Sequence, residues 1–220
     1  MLHTAAVDEL LQKLTAPEEP VIREMEARAS ATGFPTVGAE VGSFLRWLVV
    51  AAGVLDVFEC GSGYGYSSYW IAGGLPEEGS IVLTEIDEDE LADAKAYFAD
   101  HPVTATTRFE QGDALEILAA EETTYDLILL DHENERYTEG FEIARKRCSD
   151  RGIIVADNVL HSWEFSPSDL SAVLDGDPAP STNPSLAGIA AYIEHVAHAE
   201  SFETCVLPIG EGILVSVSRP

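Results

Sequence analysis

The chain has 220 residues, of which 46% are hydrophobic and 8% aromatic, a composition typical of a folded domain with a full core rather than of a disordered chain. Its 39 acidic and 12 basic residues give a formal net charge of −27, which repels nucleic acid and anionic membranes and argues against both as partners. No run approaches the roughly 20 apolar residues that a membrane span needs.

The acidic residues are spread over the whole chain, while lysine occurs only at Lys13, Lys95 and Lys146. Such a surface is typical of the cytosolic proteins of halophiles, because it stays hydrated at high salt, where screening weakens the repulsion between like charges. The same surface would also attract cationic substrates. The composition alone leaves both interpretations open.

Two features bear on location. Three widely spaced cysteines, Cys60, Cys148 and Cys205, indicate reduced, buried thiols rather than disulfides. The N-terminal segment MLHTAAVDELLQKL lacks the basic start and apolar block of a signal peptide and is typical of the first turn of an amphipathic helix. We therefore expect a cytoplasmic protein.

Helical spacing of apolar residues predicts a helix over residues 7–31, interrupted at Pro17 and Pro20, and another over residues 40–53. Strand-like runs then alternate with helical stretches, a rhythm that predicts parallel β-α-β units in a doubly wound sheet. The runs span residues 54–59, 80–86, 106–112, 125–131 and 152–158.

The last third of the chain departs from this rhythm. Residues 166–185 are polar and rich in Pro and Asp, which favours a surface insertion or lid, and residues 186–199 return to helical spacing. Two strand patterns divided by Pro-Ile-Gly-Glu-Gly then predict a hairpin-like pair at the C-terminal end. No internal repeat and no linker that would separate two domains is visible.

The segment Val54–Ser67 is the most informative part of the sequence. An apolar run reaches Glu59 and is followed by Gly61, Gly63 and Gly65 before a helical pattern begins. A strand, a glycine turn and a helix start allow a nucleotide-like cofactor to lie against bare backbone.

The spacing of these glycines indicates which cofactor to expect. The turn is neither Gly-x-Gly-x-x-Gly nor a loop ending in Gly-Lys-Ser/Thr, which argues against a nicotinamide cofactor and against a phosphate-cradling loop. A carboxylate at the turn would repel a pyrophosphate but would suit the ammonium group of S-adenosylmethionine (SAM). The alternative is a glycine turn that only connects two elements.

Acidic residues also recur at the predicted carboxyl ends of the strands, where ligands bind in an open parallel sheet. Glu85 comes 20 residues after Gly65, a spacing typical of acids that bind ribose hydroxyls, and Asp113 could accept a hydrogen bond from an adenine amino group. Each acid alone is more typical of a helix cap. Their repetition at five strand ends favours a site.

Asp131, Asp157 and Asn158 form a second group. If the fourth and fifth strands are neighbours, these side chains converge. Two carboxylates and an amide oxygen are hard ligands that suit Mg²⁺. An Asx turn at each strand end is the alternative.

Five segments of the sequence carry a family resemblance. They are AEVGSFL (39–45), FECGSGYGYS (58–67), LDHENERY (130–137), ADNVLHS (156–162) and LPIGEG (207–212). Each resembles a motif of the cation-dependent O-methyltransferases of the catechol and caffeoyl-CoA type, and together they run from about residue 35 to the C-terminus. The resemblance implies a Rossmann-like α/β fold with a mostly parallel, doubly wound, seven-stranded sheet, a C-terminal antiparallel strand and extra N-terminal helices.

The resemblance also implies roles for individual residues. The methionine half of SAM would contact Glu59, Gly61 and Ser67, with Val37 nearby. Glu85 would bind the ribose, Asp113 and Ala114 would border the adenine, and His132 would lie close to the cofactor. The divalent metal, Mg²⁺ or another cation, would be held by Asp131, Asp157 and Asn158. It would lower the pKa of a hydroxyl on a small acceptor with two adjacent oxygens.

Two departures from the family pattern concern catalysis. Asn134 stands where the family places a lysine that assists deprotonation of the acceptor, and an amide cannot serve as that base. His161 stands where the family often has tryptophan. Asp131, the position of Asn134, and His161 are therefore the candidate catalytic positions, with His132 as a second candidate base. The alternative function is a SAM-binding sensor or degenerate paralogue without methyl transfer.

One methyltransferase domain is predicted over residues 1–220. It would comprise N-terminal helices (1–53), a cofactor-binding core (54–158), and a substrate lid with C-terminal strands (159–220). Relatives of this type often pair through their N-terminal helices, and the apolar positions in residues 7–25 would allow a homodimer.

Overall fold

Within residues 5–219, which the computed structural model describes, seven strands form one mixed sheet. They are β1 (Asp56–Cys60), β2 (Ser80–Glu85), β3 (Thr106–Gln111), β4 (Tyr125–Leu130), β5 (Cys148–Ala156), β6 (Phe202–Leu207) and β7 (Ile213–Ser218). Their order is β3-β2-β1-β4-β5-β7-β6. Strands β1 to β5 are parallel, and β7 is antiparallel to both of its neighbours. The sheet confirms the predicted doubly wound architecture and its antiparallel C-terminal strand.

Helices cover both faces of this sheet. In the described part of the chain they are α1 (Ala5–Leu14), α2 (Pro20–Thr32), α3 (Gly38–Ala52), α4 (Tyr66–Ala72), α5 (Glu88–Asp100), α6 (Ala114–Ala120), α7 (Tyr137–Arg147), α8 (Pro167–Leu174) and α9 (Pro184–Ala197), with a 3-10 turn at Asn134–Arg136. The start of the predicted N-terminal helix, residues 1–4, lies outside the described residues.

Alternation along the strands divides the core into two layers, because successive strand residues point to opposite faces. Val57 and Leu127 pack with buried side chains of α2 to α5. Phe58 and Ile128 pack on the other face, with buried side chains of α6 to α9. Both faces of the central strands are therefore buried, which explains their nearly continuous apolar sequence.

The strand order indicates which edge of the sheet is expected to bind ligands. The order reverses between β1 and β4, and the crevice beyond the carboxyl ends of strands at such a reversal is where open α/β sheets bind ligands. The turn after β1, the loop after β4 and the loop after β5 therefore meet at one edge.

Three details differ from the sequence-based expectations. The polar segment 166–185 contains helix α8, which starts with a capping box between Ser166 and Asp169. Val21, Ile22 and Met25 are buried in the core, so they are not available for pairing with a second copy. All three cysteines are free, but Cys205 is exposed, so the prediction of buried thiols is wrong for that residue.

No helix in residues 5–219 is long and apolar enough to cross a membrane.

Candidate active site

The glycine turn after β1 lies directly against the loop after β4. Gly61 has φ of +83°, and a Cβ atom there would overlap the carbonyl oxygen of Asp131. The amide of Ser62 donates to the carbonyl of Thr84 on β2 at 2.9 Å. Only glycine allows this close approach of two backbones. The turn therefore has a fixed position relative to both neighbouring strands.

Glu59 belongs to β1 and comes two residues before Gly61 of this turn. Its side chain is fully buried. Its carboxylate accepts hydrogen bonds from the hydroxyls of Ser67 and Ser68 at the start of α4. Burial raises the pKa of Glu59 to about 7; the two serine hydrogen bonds oppose this shift and the charge of Glu85 adds to it. Glu59 does not line the cavity described below, whereas Ser67 does.

Glu85, at the end of β2, joins its own loop to the glycine turn. One carboxylate oxygen accepts from the amide of Gly63 at 2.8 Å. The other accepts from the amides of Ile86 and Asp87 at 2.8 and 2.9 Å. Glu85 thus lies beside the turn with both carboxylate oxygens accepting hydrogen bonds from the backbone, and its contact with a ribose stays a prediction.

Asp113 caps helix α6 by accepting from the amides of Leu115 and Glu116. Its second oxygen accepts from the guanidinium of Arg136 at 2.6 Å, and this bond keeps the pKa of Asp113 below its ordinary value. Asp113 therefore forms the helix cap that was the alternative to a binding role for this residue. Asp113 also borders a cavity, so the two interpretations are compatible at this residue.

Asp131 and Asp157 converge because β4 and β5 are parallel neighbours. Leu130 and Ala156 are paired, each acid is the next residue, and the amide of Asp157 donates to the carbonyl of Leu130 at 3.2 Å. Asn158 follows with φ of +59°, a left-handed conformation that is uncommon for a residue other than glycine and is concentrated at functional sites.

A third acid, Glu211, reaches the same place from the turn between β6 and β7. Its carboxylate accepts from the side-chain amide of Asn158 at 2.6 Å, and its carbonyl accepts from the amides of Leu160 and His161. The segment LPIGEG resembles a family motif, but Glu211 was not among the site residues predicted from the sequence. Its place between Gly210 and Gly212, within a segment that resembles a family motif, is the sequence feature that could have identified Glu211 as a site residue.

The electrostatics of these acids suit a cation. Burial, followed by repulsion from Glu59, Glu211 and Glu85, raises the pKa of Asp131 to about 7. Burial and the charge of Asp131 raise the pKa of Asp157 well above its ordinary value. Like charges held together in a buried site favour neutralisation by a proton or by a bound cation.

The donor set also fits a hard divalent cation, as two carboxylates with an amide oxygen. The bond to Glu211 uses the Nδ2 atom of Asn158 and leaves its Oδ1 atom free to bind a cation. In the part of the chain that the structure describes, no three His, Cys, Asp or Glu side chains converge closely enough to hold a metal ion. The candidate donor set is therefore two carboxylates with the amide oxygen of Asn158, and Glu211 is not a third carboxylate in it.

A cavity of about 470 Å³ lies over these residues. The predicted site residues that line it are Val37, Gly61, Ser67, Glu85, Asp131, His132, Asn134, Asp157 and Asn158. A smaller adjoining cavity of about 250 Å³ is bordered by Asp113 and Ala114 and shares several of the same residues. The two cavities together form an elongated cleft across the ends of β2, β1, β4 and β5.

His161 lies outside the residues that line the main cavity. It borders a neighbouring surface depression, while Ser162, Trp163 and Glu164 turn toward the cavity. Within the predicted lid, residues 162–164 contribute to the cavity lining and helix α8 does not. The structure therefore does not bring His161 together with the predicted site residues that line the main cavity.

His132 lies between the two cavities, with its ring stacked on Tyr137 at a centroid distance of 5.1 Å. Neither ring nitrogen has a hydrogen-bond partner among the described residues. Burial lowers the pKa of His132 to about 4, so the ring is neutral at physiological pH. A neutral, stacked imidazole suits a wall of the cofactor site.

Asn134 connects the loop after β4 to helix α9. Its side-chain amide donates to the hydroxyl of Ser185 at 2.7 Å, and Ser185 is buried. Helix α9 packs closely here, because a Cβ atom at Gly188 would overlap the backbone of Glu135. The asparagine at the family's lysine position therefore has a structural role in this chain.

We expect Asn134→Ala to lower the free energy of unfolding by about 1 kcal/mol, the usual contribution of a partly buried hydrogen bond. Ser185→Ala should cost about the same, and the double variant should cost less than the sum of the two. Urea unfolding of the four proteins measures this. Simple additivity would contradict the assigned hydrogen bond.

The chain also resembles known proteins. A family model described as O-methyltransferase matches residues 12–219. A catechol O-methyltransferase of Niastella koreensis is 29% identical over 161 residues, which are 70% of this chain and 73% of that protein.

Two solved structures resemble the fold. The crystal structure of a putative O-methyltransferase from Klebsiella pneumoniae has a TM-score of 0.83 at 24% identity, over 98% of this chain and 97% of that one. An O-methyltransferase from Bacillus cereus, solved in complex with SAH, has a TM-score of 0.82 at 24% identity and covers 97% of both chains. At these identities the two structures support the fold alone. The family model, which spans nearly the whole chain, shows that the protein belongs to the O-methyltransferase family and confirms the prediction of an O-methyltransferase.

Proposed function

We propose that this O-methyltransferase uses a divalent cation to methylate a hydroxyl of a small acceptor with two adjacent oxygens, as in a catechol. The observation that carries the proposal is the convergence of Asp131, Asp157 and Asn158 beside the glycine turn. The similarity to a protein named catechol O-methyltransferase supports the acceptor class.

The cofactor would bind along the edge formed by the carboxyl ends of β1 and β2. Gly61 and Ser67 would contact its methionine half beside Val37, and buried Glu59 would supply negative charge behind Ser67. Glu85 would take the ribose. The adenine would lie in the smaller cavity, bordered by Asp113, Ala114 and His132. When bound, SAM would supply an electrophilic methyl group, and these residues would orient it toward the acceptor.

The cation would be held by Asp131, Asp157 and Asn158, with Glu211 fixing the amide of Asn158. A bound divalent cation lowers the pKa of the attacking hydroxyl. The protein contributes orientation and exclusion of water, because Asp157 is buried and Asp131 lies under the backbone of the glycine turn.

No lysine lies among the described residues that border the cavity. Burial lowers the pKa of His132 to about 4, which makes its ring a weak base, and the amide of Asn134, bonded to Ser185, cannot accept the proton. Neither side chain therefore replaces the family's lysine. Acidification of the acceptor therefore depends on the cation more strongly in this chain than in relatives that keep the lysine. The catalytic role of Asp131 is to hold the cation beside the acceptor.

A turnover assay tests the proposal. SAM consumption with an uncharged catechol should require Mg²⁺ or another divalent cation and should stop when a chelator is added. Methyl transfer that continues unchanged in excess chelator would overturn the metal assignment. Tight SAM binding with no turnover on any oxygen acceptor would favour the alternative, a SAM-binding sensor.

We place all of these functions in one domain over residues 1–220. A homodimer and a cytoplasmic location stay predictions. Pairing through the N-terminal helices would use the exposed apolar side chains of α1, Leu10 and Leu14, rather than the buried ones of α2.

A further inference from the structure

An aromatic side chain from outside the glycine turn packs directly on the middle of that turn. Phe34 comes just after helix α2 and lines the main cavity together with Gly63. A Cβ atom at residue 63 would lie only 2.7 Å from the Cζ atom of the Phe34 ring, well inside the usual separation of carbon atoms in contact. The ring of Phe34 therefore occupies the space that a side chain at residue 63 would need.

The end of helix α2 determines where Phe34 lies. Gly33 ends the helix with φ of +72°, and its amide donates to the carbonyl of Ala29 at 2.8 Å. The amide of Phe34 donates to the same carbonyl at 3.2 Å. A left-handed residue directly after a helix is the termination that glycine favours. Because these bonds fix the exit of the chain from α2, the position of Phe34 follows the position of the helix.

Tyr64, the residue after Gly63, makes the reverse contact from the turn to the helix. Its side chain is buried, and its hydroxyl donates to the carbonyl of Met25 on α2 at 3.0 Å. The guanidinium of Arg28 lies over its ring, 4.6 Å from the centroid. The rings of Tyr64 and Phe34 pack edge to face with their centroids 4.9 Å apart. Contacts in both directions therefore join α2 to the glycine turn.

The backbone of Gly63 carries the group that orients Glu85. Its amide donates to the Glu85 carboxylate at 2.8 Å, and its φ is +49°. Rotation of this peptide would turn the amide away from the carboxylate and weaken the hydrogen bond. The ring of Phe34 packs against Gly63 and opposes such a rotation. A contact made by α2 therefore bears on the acid that we propose for the ribose.

We infer that Phe34 is a positioning residue of the cofactor site, and that helix α2 is thereby part of that site. The inference rests on the proposed function, because it takes the cofactor to be SAM. Phe34 holds the glycine turn in the conformation that binds the cofactor, and loss of its ring lets the turn relax. Because such coupling is reciprocal, bound cofactor should in turn hold α2 more firmly.

Calorimetry with SAH, the demethylated cofactor, tests the role of Phe34. We expect Phe34→Ala to raise the dissociation constant of SAH about tenfold. Phe34→Leu keeps apolar bulk for folding but lacks the ring atom that reaches Gly63, so it should raise the constant as well. An unchanged dissociation constant in these variants would overturn the inference.

Phe44→Ala is the matched control for a merely structural role. Phe44 is also half-buried and packs against the same core layer as Phe34, but it is not one of the residues that line the main cavity. Its replacement should lower the free energy of unfolding and leave the dissociation constant of SAH unchanged. An equal rise of that constant in Phe44→Ala and Phe34→Ala would overturn the inference.

A double-mutant cycle locates the effect at the contact itself. Gly63→Ala should raise the dissociation constant of SAH about tenfold in the wild type, because its Cβ atom displaces the ring of Phe34. In the Phe34→Ala background the same change should raise it about threefold or less, because the ring is already absent. The backbone cost of alanine at a positive φ is common to both backgrounds and cancels. Equal factors in the two backgrounds would overturn the inference.

Hydrogen exchange tests the link to helix α2. Saturating SAH should slow exchange of the α2 amides in the wild type and much less in Phe34→Ala, with helix α8, which does not line the main cavity, as the internal reference. Exchange in α2 that ignores SAH in the wild type would overturn the inference. A wild type that fails to bind SAH would overturn the proposed function with it, whereas unchanged binding in Phe34→Ala would overturn the inference alone.

Discussion

Replacing Asp157 by asparagine is expected to reduce methyl transfer on the order of a thousandfold, because a neutral side chain then replaces the buried carboxylate that we propose as a ligand of the cation. The change keeps the shape of the side chain, and the amide oxygen can still accept the hydrogen bond from the Asn158 amide. Steady-state kinetics with saturating SAM and a titration of Mg²⁺ measure the loss.

Stability distinguishes loss of the site from loss of the fold. Burial, followed by the charges of Asp131 and Glu211, raises the pKa of Asp157. Its neutralisation should therefore raise the free energy of unfolding without ligands at pH 8, while stabilisation by added Mg²⁺ should disappear. The exposed Asp177→Asn serves as the matched control and should change neither property. Retention of full Mg²⁺-dependent activity in Asp157→Asn would overturn the ligand assignment.

A second large effect is expected at Glu59. Burial raises its folded-state pKa from the ordinary 4.5 to about 7, so the native state binds a proton more tightly than the unfolded state does. The stabilisation is full below pH 4.5 and is lost as the pH rises through 7. At about 1.4 kcal/mol for each unit of pKa difference, protonated Glu59 contributes about 3 kcal/mol to the free energy of unfolding at low pH.

The variant Glu59→Gln should remove this part of the pH dependence. Its amide keeps partners in the hydroxyls of Ser67 and Ser68, which both donate and accept. We expect the variant to exceed the wild type in stability at pH 8 and to keep only the part of the pH dependence that comes from Asp131 and Asp157. Denaturant unfolding between pH 5 and pH 8 measures the slopes.

The same variant should bind SAM about tenfold less tightly at pH 8, since the charge behind Ser67 is lost; this corresponds to about 1.4 kcal/mol. The exposed Glu78→Gln is the control for both measurements. A parallel pH dependence in Glu59→Gln and wild type would show that Glu59 is ionised in the folded protein throughout this range.

Local rules account for what the sequence predicted correctly. Strand and helix periodicity indicated the β-α-β rhythm, and the rule that parallel strands share an edge was sufficient to place Asp131 beside Asp157. The glycine turn was recognisable because its spacing has few alternatives. These inferences use residues that are close in sequence or follow neighbouring strands.

Contacts between distant segments account for what was missed. Glu211 approaches Asn158 only because β7 inserts beside β5 in antiparallel register, and the sequence pattern does not specify that neighbour. The bond from Asn134 joins segments 51 residues apart. The position of Glu59 behind the turn depends on which face of β1 it occupies. Periodicity gives the alternation along a strand but does not say which helix covers each face.

The backbone contact at Gly61 has a consequence for how this enzyme can acquire new substrates. The glycine turn and the loop that carries Asp131 leave no room for a side chain between them. A substitution in either segment would therefore require a change in the other. The opposite wall has exposed side chains such as Trp163 and Glu164 on a loop. Selection can exchange those exposed residues while the residues at the ends of β1 and β4 stay unchanged, so new substrates are expected to arise through changes in this loop.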